Sequence, residues 1–326
     1  MATESTKIAL KYENNEYSLE HSLFSESQFK INASIVSFSG RYWCSHRSNN
    51  LDKDNHNYLT ELNDDLTNNR HMLFVPENGN TAFEDVRLFV FRNQLMAIYT
   101  YLPYVLGKWV DRFSIGIGVV NIHTGLVLQQ QELIHYSKRF HEKNWIPFIE
   151  NDKLFIITDF DPYFRILEAE GEIGHLVFNE IYLATEKTMG WEYGEMRGGT
   201  PFISNMQKKS KWQYSFVHSS IHVPNGTNFI RFYVSTVLRF CLSELKFEFL
   251  PYPVDYSKSE KDPLYPLIWR KSSNGEFFRV IFPMGIVNYD EGVLVSYGKD
   301  DCVSRLSYFS WDLIYRLFGD VYDKSQ

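Results

Sequence analysis

Asp85-Val86-Arg87-Leu88-Phe89, followed through a turn by Gln94-Leu95-Met96-Ala97-Ile98-Tyr99, decides the fold, because a similar phrase occurs five times in the chain. Each copy runs as a short, mostly apolar segment, opening on a small or polar residue at Asn32, Asp85 and Gly199, then turns and returns as an alternating strand. The other openings are Asn32-Ala33-Ser34-Ile35-Val36, Trp145-Ile146-Pro147-Phe148-Ile149, Gly199-Thr200-Pro201-Phe202-Ile203 and Ile281-Phe282-Pro283-Met284-Gly285. Their returning strands begin at Arg41, Lys153, Trp212 and Gly292. A period of roughly 50 to 60 residues built from hairpins marks a propeller or solenoid. Five units predict an all-β protein, a five-bladed β-propeller with little helix. Such a fold gathers the first residues of every inner strand around one axial pocket, so function is to be sought at the five openings.

Working outward, residues 28–318 read as the propeller, residues 1–27 as N-terminal strands available for closing it, and residues 319–326 as a tail. The Asn- and Asp-rich stretch 49–80 reads as a long connection with a helical turn at 58–66. Residues 115–128 carry a hairpin signature around His123-Thr124-Gly125. The four prolines between 251 and 266 predict a loop over 252–274. The one helical candidate is 311–318.

Composition narrows the function. Of 326 residues, 44% are hydrophobic and 17% aromatic, enough for a large core rich in strand-forming side chains. A net charge of −7 argues against nucleic acid or an anionic membrane as the main partner. No apolar stretch approaches the roughly 18 residues that span a bilayer, and the N-terminus shows no secretory pattern. The three cysteines, Cys44, Cys241 and Cys302, form neither a disulfide framework nor a zinc motif. A cytoplasmic setting is expected, with no metal and no cofactor.

The openings concentrate polar groups. In order they are Asn32; Glu84-Asp85 with Arg87; Glu142-Lys143-Asn144; Arg197-Gly198-Gly199-Thr200; and Ser296-Tyr297-Gly298-Lys299-Asp300-Asp301. Returning strands end in Arg47, Thr158-Asp159-Phe160-Asp161 and His218-Ser219-Ser220. A single Asp beside a strand is ordinarily a turn or cap residue. Charge or amide groups at one phase in every repeat are different, since clustered charges near an axis cost desolvation energy.

These same residues carry a resemblance. Phe83-Glu84-Asp85-Val86-Arg87 resembles the Glu-Asp-Pro-Arg signature of the inverting β-mannoside phosphorylases and their hydrolase relatives, which are five-bladed propellers. Asn32 with Arg47, Phe216-Val217-His218-Ser219 and Ser296-Tyr297-Gly298-Lys299-Asp300-Asp301 resemble its further motifs in order. Lys143-Asn144-Trp145-Ile146-Pro147-Phe148 and Arg197-Gly198-Gly199-Thr200-Pro201 are more similar to a β-1,2-mannosyltransferase-like, glycosyltransferase branch. The likeness spans about residues 28–310.

The resemblance implies that Asp85 is the general acid, or in synthesis the general base, a role suited to a carboxyl in an axial pocket. It implies substrate contacts from Asn32, Arg47, Glu84, Arg87, Lys143, Asn144, Asp161, Arg197, His218, Tyr297 and Asp301. Phosphate falls to Arg112, Lys143, His218 and Tyr297. The substrates are a sugar donor, either a sugar 1-phosphate or a nucleotide sugar such as GDP-mannose, and an oligosaccharide acceptor. Val86 replaces the Pro of the signature, and Phe160-Asp161-Pro162 stands where the phosphorylases have His-Arg-Pro, which removes one phosphate-binding Arg. Two alternatives stay open. An inverting hydrolase needs a second carboxylate about 6.5–9.5 Å from the first, for which Asp159, Asp161 and Asp301 are candidates. A non-catalytic propeller binding glycan or protein is the other.

Overall fold

Tight turns join most successive strands, so the chain runs as a series of antiparallel meanders. The computed structural model describes residues 29–49, 55–77, 82–102, 104–105, 108–109, 113–133, 142–160, 163–184, 191–208, 210–225, 228–254, 256, 270–271, 277–299 and 303–320. The first meander comprises β1 (Phe29–Phe38), β2 (Arg41–Asn49), β3 (Asn55–Leu62) and β4 (Asn68–Pro76). The second comprises β5 (Ala82–Phe91), β6 (Gln94–Leu102), β7 (Ser114–Val120) and β8 (Leu126–Glu132). The third is β9 (Ile146–Glu150), β10 (Lys153–Asp159), β11 (Arg165–Glu170) and β12 (Val177–Leu183). The fourth is β13 (Glu195–Arg197), β14 (Gln213–Asn225), β15 (Asn228–Cys241) and β16 (Lys246–Phe249). The fifth is β17 (Ile281–Tyr289), β18 (Gly292–Lys299) and β19 (Val303–Ser310), followed by helix α1 (Trp311–Leu317).

The core lies between consecutive meanders. Trp43, Leu59 and Phe74 of the first pack with Leu88 and Ala97 of the second. Met96 and Ile117 of the second meet Trp145 and Leu154 of the third. Phe148 and Phe155 meet Val217 and Phe240 of the fourth. Phe216 and Val237 meet Val293 and Phe309 of the fifth, and Leu294 and Leu306 return to Ile35 and Cys44 of the first. Sheets covered on both faces explain why the inner strands read as apolar runs rather than strict alternation.

Hydrogen bonds and close packing link the five openings in succession. Ser34 Oγ accepts the Leu88 N–H at 3.0 Å, Arg87 donates to Asn144 Oδ1 at 3.0 Å, and the Phe202 N–H donates to the Pro147 carbonyl at 3.2 Å. A side chain at Gly199 would stand 3.0 Å from Pro283. Ser296 Oγ accepts the Ile35 N–H at 2.9 Å, which returns the series to the first meander.

Where it is described, the stretch 49–80 is not a long connection with a helical turn: residues 55–76 form β3 and β4. Its polar residues disguised a buried face on which Asn57 Nδ2 donates to the Phe83 carbonyl at 2.7 Å. At the fourth opening, Glu195–Arg197 pairs with the middle of β14 at residues 218–220, and residues 199–203 continue along the same strand less regularly, through the Thr200 N–H to the Phe216 carbonyl at 2.9 Å and the bridge of Ile203 to Tyr214. Pro201 has no N–H for a ladder. Within the loop expected over 252–274, Arg270–Lys271 is a two-residue strand and the rest falls largely outside the described residues. Residues 1–27 and 321–326 also lie outside them. The expected helix is present, and Ser310 caps it by accepting the Leu313 N–H at 3.1 Å.

Ser34→Ala would leave the buried Leu88 N–H without its acceptor, at a cost of about 1–3 kcal/mol. Urea unfolding should show a lower midpoint at unchanged slope; an unchanged midpoint would mean that Ser34 does not tie the first two meanders.

Candidate active site

Asn32, Asp85 and Asn144 all adopt left-handed backbone conformations, with φ of 58°, 53° and 64°. Among residues with a side chain, Asn and Asp tolerate this region best. In β1 the pairing register jumps between Ile31 and Ser34, and in β5 between Glu84 and Arg87, so Asn32 and Asp85 each sit in a β-bulge. A bulge re-aims a side chain out of the strand's ordinary alternation. Here the two aimed side chains meet: Asn32 Nδ2 donates to Asp85 Oδ1 at 2.9 Å. Asp85 Oδ2 accepts no hydrogen bond among the described residues.

Asp85 lines a cavity of about 360 Å³ together with Lys143, Asn144, Asp159, Arg197 and His218. Phe113, Tyr233 and Phe282 form apolar walls, and Glu142 and Glu195 complete the acidic part of the lining. Glu84 turns away from its neighbour Asp85: its carboxylate pairs with Arg47 at 2.6 Å and lies 3.7 Å from Lys143 Nζ. Lys143 also stands over the Phe113 ring at 4.6 Å. Arg197 pairs with Glu195 at 3.1 Å on the cavity lip. Asp159 Oδ2 accepts the Thr158 hydroxyl at 3.1 Å, and Glu142 Oε2 accepts the Trp145 indole N–H at 2.9 Å.

Two glycines permit the close approach of these segments. A Cβ at Gly198 would stand 1.9 Å from the Asn144 carbonyl oxygen, and one at Gly298 would stand 2.3 Å from Asn32 Oδ1.

His218 is fully buried against Phe282, ring centroids 4.4 Å apart, and among the described residues no well-formed hydrogen bond reaches either ring nitrogen. Burial lowers its pKa well below the ordinary imidazole value, the Arg87 and Arg197 cations push the same way, and the Gly198 backbone opposes them. His218 is therefore neutral at pH 7, with an N–H to offer an anion or a sugar hydroxyl. Burial also lowers the pKa of the Arg87 guanidinium to about 10, against the opposing charge of Asp85.

Nine of the residues implied by the motifs thus come together: Asn32, Arg47, Glu84, Asp85, Arg87, Lys143, Asn144, Arg197 and His218. Tyr297 does not join them. It is fully buried in the core, 4.7 Å from the Tyr256 ring. Its neighbour Ser296 faces β1, and strand alternation turns Tyr297 to the opposite face. Arg112, Asp161 and Asp301 lie outside the described residues. Phe113, Tyr233 and Phe282 were not anticipated, because an aromatic residue in a strand looks the same whether it faces a core or a cavity. No group of three or more His, Cys, Asp or Glu residues suited to a metal ion occurs among the described residues.

Below about pH 6.5 the unfolded chain protonates His218 while the folded chain resists it. The unfolded state then binds more protons, so stability falls as the pH drops through this range and is pH-independent above it. His218→Phe should remove up to about 1.4 kcal/mol per pH unit from the acid slope. Urea unfolding at pH 7.5 and 5.5 reads this, and identical slopes in the two proteins would contradict it.

No protein-family model matches the sequence, and no curated protein does. Solved structures match in fold. A mannose phosphorylase from Leishmania mexicana, in complex with phosphate, superposes with a TM-score of 0.56 at 11% identity, over 98% of this chain and 96% of its own. A β-1,2-mannobiose phosphorylase from Listeria innocua gives 0.57 at 11% identity, over 94% and 100%. A GDP-Man-dependent mannosyltransferase from Leishmania mexicana gives 0.53 at 12% identity, over 91% and 90%. The chain has the fold of the β-mannoside phosphorylases and mannosyltransferases, the superfamily that its motifs resemble.

Proposed function

We propose that this protein is a carbohydrate-active enzyme of the inverting glycosyltransferase or phosphorylase type, transferring a β-linked sugar, mannose by preference, between a phosphate-activated donor and a glycan hydroxyl. The five meanders are the blades of a five-bladed β-propeller over residues 28–318, and the cavity is its axial pocket. One observation carries the reading. Asp85 lines the cavity from a left-handed bulge, one carboxylate oxygen held by Asn32 and the other without a partner among the described residues. That oxygen is suited to exchanging a proton.

In phosphorolysis Asp85 protonates the leaving glycosidic oxygen as its bond to C1 breaks, and a phosphate oxygen forms the new bond on the opposite face of the sugar. In synthesis Asp85 takes the proton of the acceptor hydroxyl as that oxygen attacks C1, and the donor's phosphate departs. Lys143, Arg197 and neutral His218 are the groups on the cavity wall suited to the donor phosphate. Mannose 1-phosphate and GDP-mannose are the donors to try first, with a mannooligosaccharide acceptor. A cytoplasmic setting goes with this reading, supported by the buried free thiols of Cys44 and Cys241. Among the described residues no helix is long and apolar enough to cross a membrane.

A specific observation favours hydrolysis as the second reading. Asp159 lines the same cavity, and a second carboxylate is what an inverting hydrolase uses to activate water. The two readings part on their products: sugar phosphate or transferred sugar in the first, free sugar without phosphate dependence in the second.

Asp85→Asn keeps the amide in place of the carboxyl and leaves the Asn32 contact a neutral partner. It should fold normally and lose at least a hundred-fold in turnover with mannose 1-phosphate or GDP-mannose, on the order of the contribution of a general acid or base. Turnover near that of the parent protein would remove Asp85 from the chemistry.

A further inference from the structure

Arg87 was expected among the substrate contacts, yet it lies behind the cavity and not on its wall. The residue is 2% exposed and absent from the lining, whereas Asp85, Asn144, Gly198 and Phe282, all beside it, are on the wall. Nε donates to the Gly199 carbonyl, Nη1 to the Asp85 carbonyl at 3.0 Å, and Nη2 to Asn144 Oδ1 at 3.0 Å and the Gly198 carbonyl at 3.4 Å. Every acceptor is a neutral oxygen, and no carboxylate lies within ion-pair distance among the described residues. A buried guanidinium without a contacting counter-ion is costly, and replacing it with an apolar side chain would be cheaper if packing were all it served.

What the fork does is specific. It joins the second, third and fourth openings, and it bonds the backbone of the strained residue itself. Left-handed Asp and Asn cost free energy and persist only where the surroundings over-determine them. Asn32 fixes the Asp85 side chain from one side, and Arg87 fixes its carbonyl from the other. Asn144, the third left-handed residue, is held by the same guanidinium.

We propose that Arg87 is a positioning residue: without touching substrate, its planar fork locks the left-handed turn that aims Asp85 and sets the spacing of Asn144 and Gly198 across the cavity floor. This rests on the proposed role of Asp85 for its kinetic consequence, but not for its structural one. Lysine carries the charge but lacks the fork geometry.

Arg87→Gln and Arg87→Lys test the inference by two readouts. In kinetics with mannose 1-phosphate or GDP-mannose, Arg87→Gln should lower kcat on the order of a hundred-fold, the effect of misplacing a catalytic group by about 1 Å, with KM within about three-fold. Arg87→Lys should recover part of that loss. A raised KM at unchanged kcat would make Arg87 a substrate ligand and overturn the proposal. The second readout needs no substrate: a crystal structure of Arg87→Gln should show Asp85 out of the left-handed region and the Asn32–Asp85 bond broken. Retention of both would overturn the proposal. If the Gln variant does not fold, the Lys variant is read the same way, and parental kcat with an intact turn again counts against it. If the parent protein turns over none of these donors, the catalytic reading fails while the variant structures still decide the role of Arg87.

Discussion

The left-handed turn at Asp85 is the constraint on which the site depends. An extended strand would send that side chain to one face of its sheet; the bulge sends it into the cavity instead. Such a conformation costs of order 1–3 kcal/mol, and the surrounding contacts oppose its relaxation. The Asn32 amide holds the carboxylate, the Arg87 guanidinium holds the carbonyl, and Ser34 ties Leu88, three residues further along β5, to β1. Asn32 is itself left-handed and sits in the matching bulge of β1. Two strained turns facing one another, each bracing the other, make a rigid site from loosely similar repeats.

Electrostatics at the site are mixed rather than uniformly basic. Asp85, Glu142, Asp159 and Glu195 line the cavity alongside Lys143 and Arg197. Glu84 absorbs part of the cationic charge through Arg47 and Lys143. His218 adds hydrogen-bonding capacity without charge, because burial and two nearby guanidinium groups keep it neutral. A lining of this kind suits a substrate with both hydroxyl groups and one anionic group, and it is poorly suited to a polyanion such as nucleic acid.

Much of this was legible in the sequence for a physical reason. Sheets stacked on both sides require apolar inner strands, and a left-handed bulge residue is best tolerated as Asn or Asp, so the phrase Asp85-Val86-Arg87-Leu88-Phe89 carries both its place in the core and its exceptional residue. Asn32 and Asn144 carry the same signal. The legible part ends where polar residues serve the interior. Asn57 looked like loop and is a buried strand residue feeding a hydrogen bond to Phe83. Pro201 hid an interrupted edge at the fourth opening, where the chain runs along β14 from Glu195 to Ile203 without a continuous ladder. Tyr297 shared a motif with the site but, by strand parity, belongs to the core. Phe113, Tyr233 and Phe282 carry no mark that separates a cavity wall from packing.

A crystal structure with mannose 1-phosphate bound puts the aim of Asp85 to the test. The sugar should lie in the cavity with its phosphate on the side of Lys143, Arg197 and His218, and a sugar or acceptor oxygen should stand within hydrogen-bond reach of Asp85 Oδ2. A ligand bound away from this cavity, or an Asp85 carboxylate turned from it, would contradict the account.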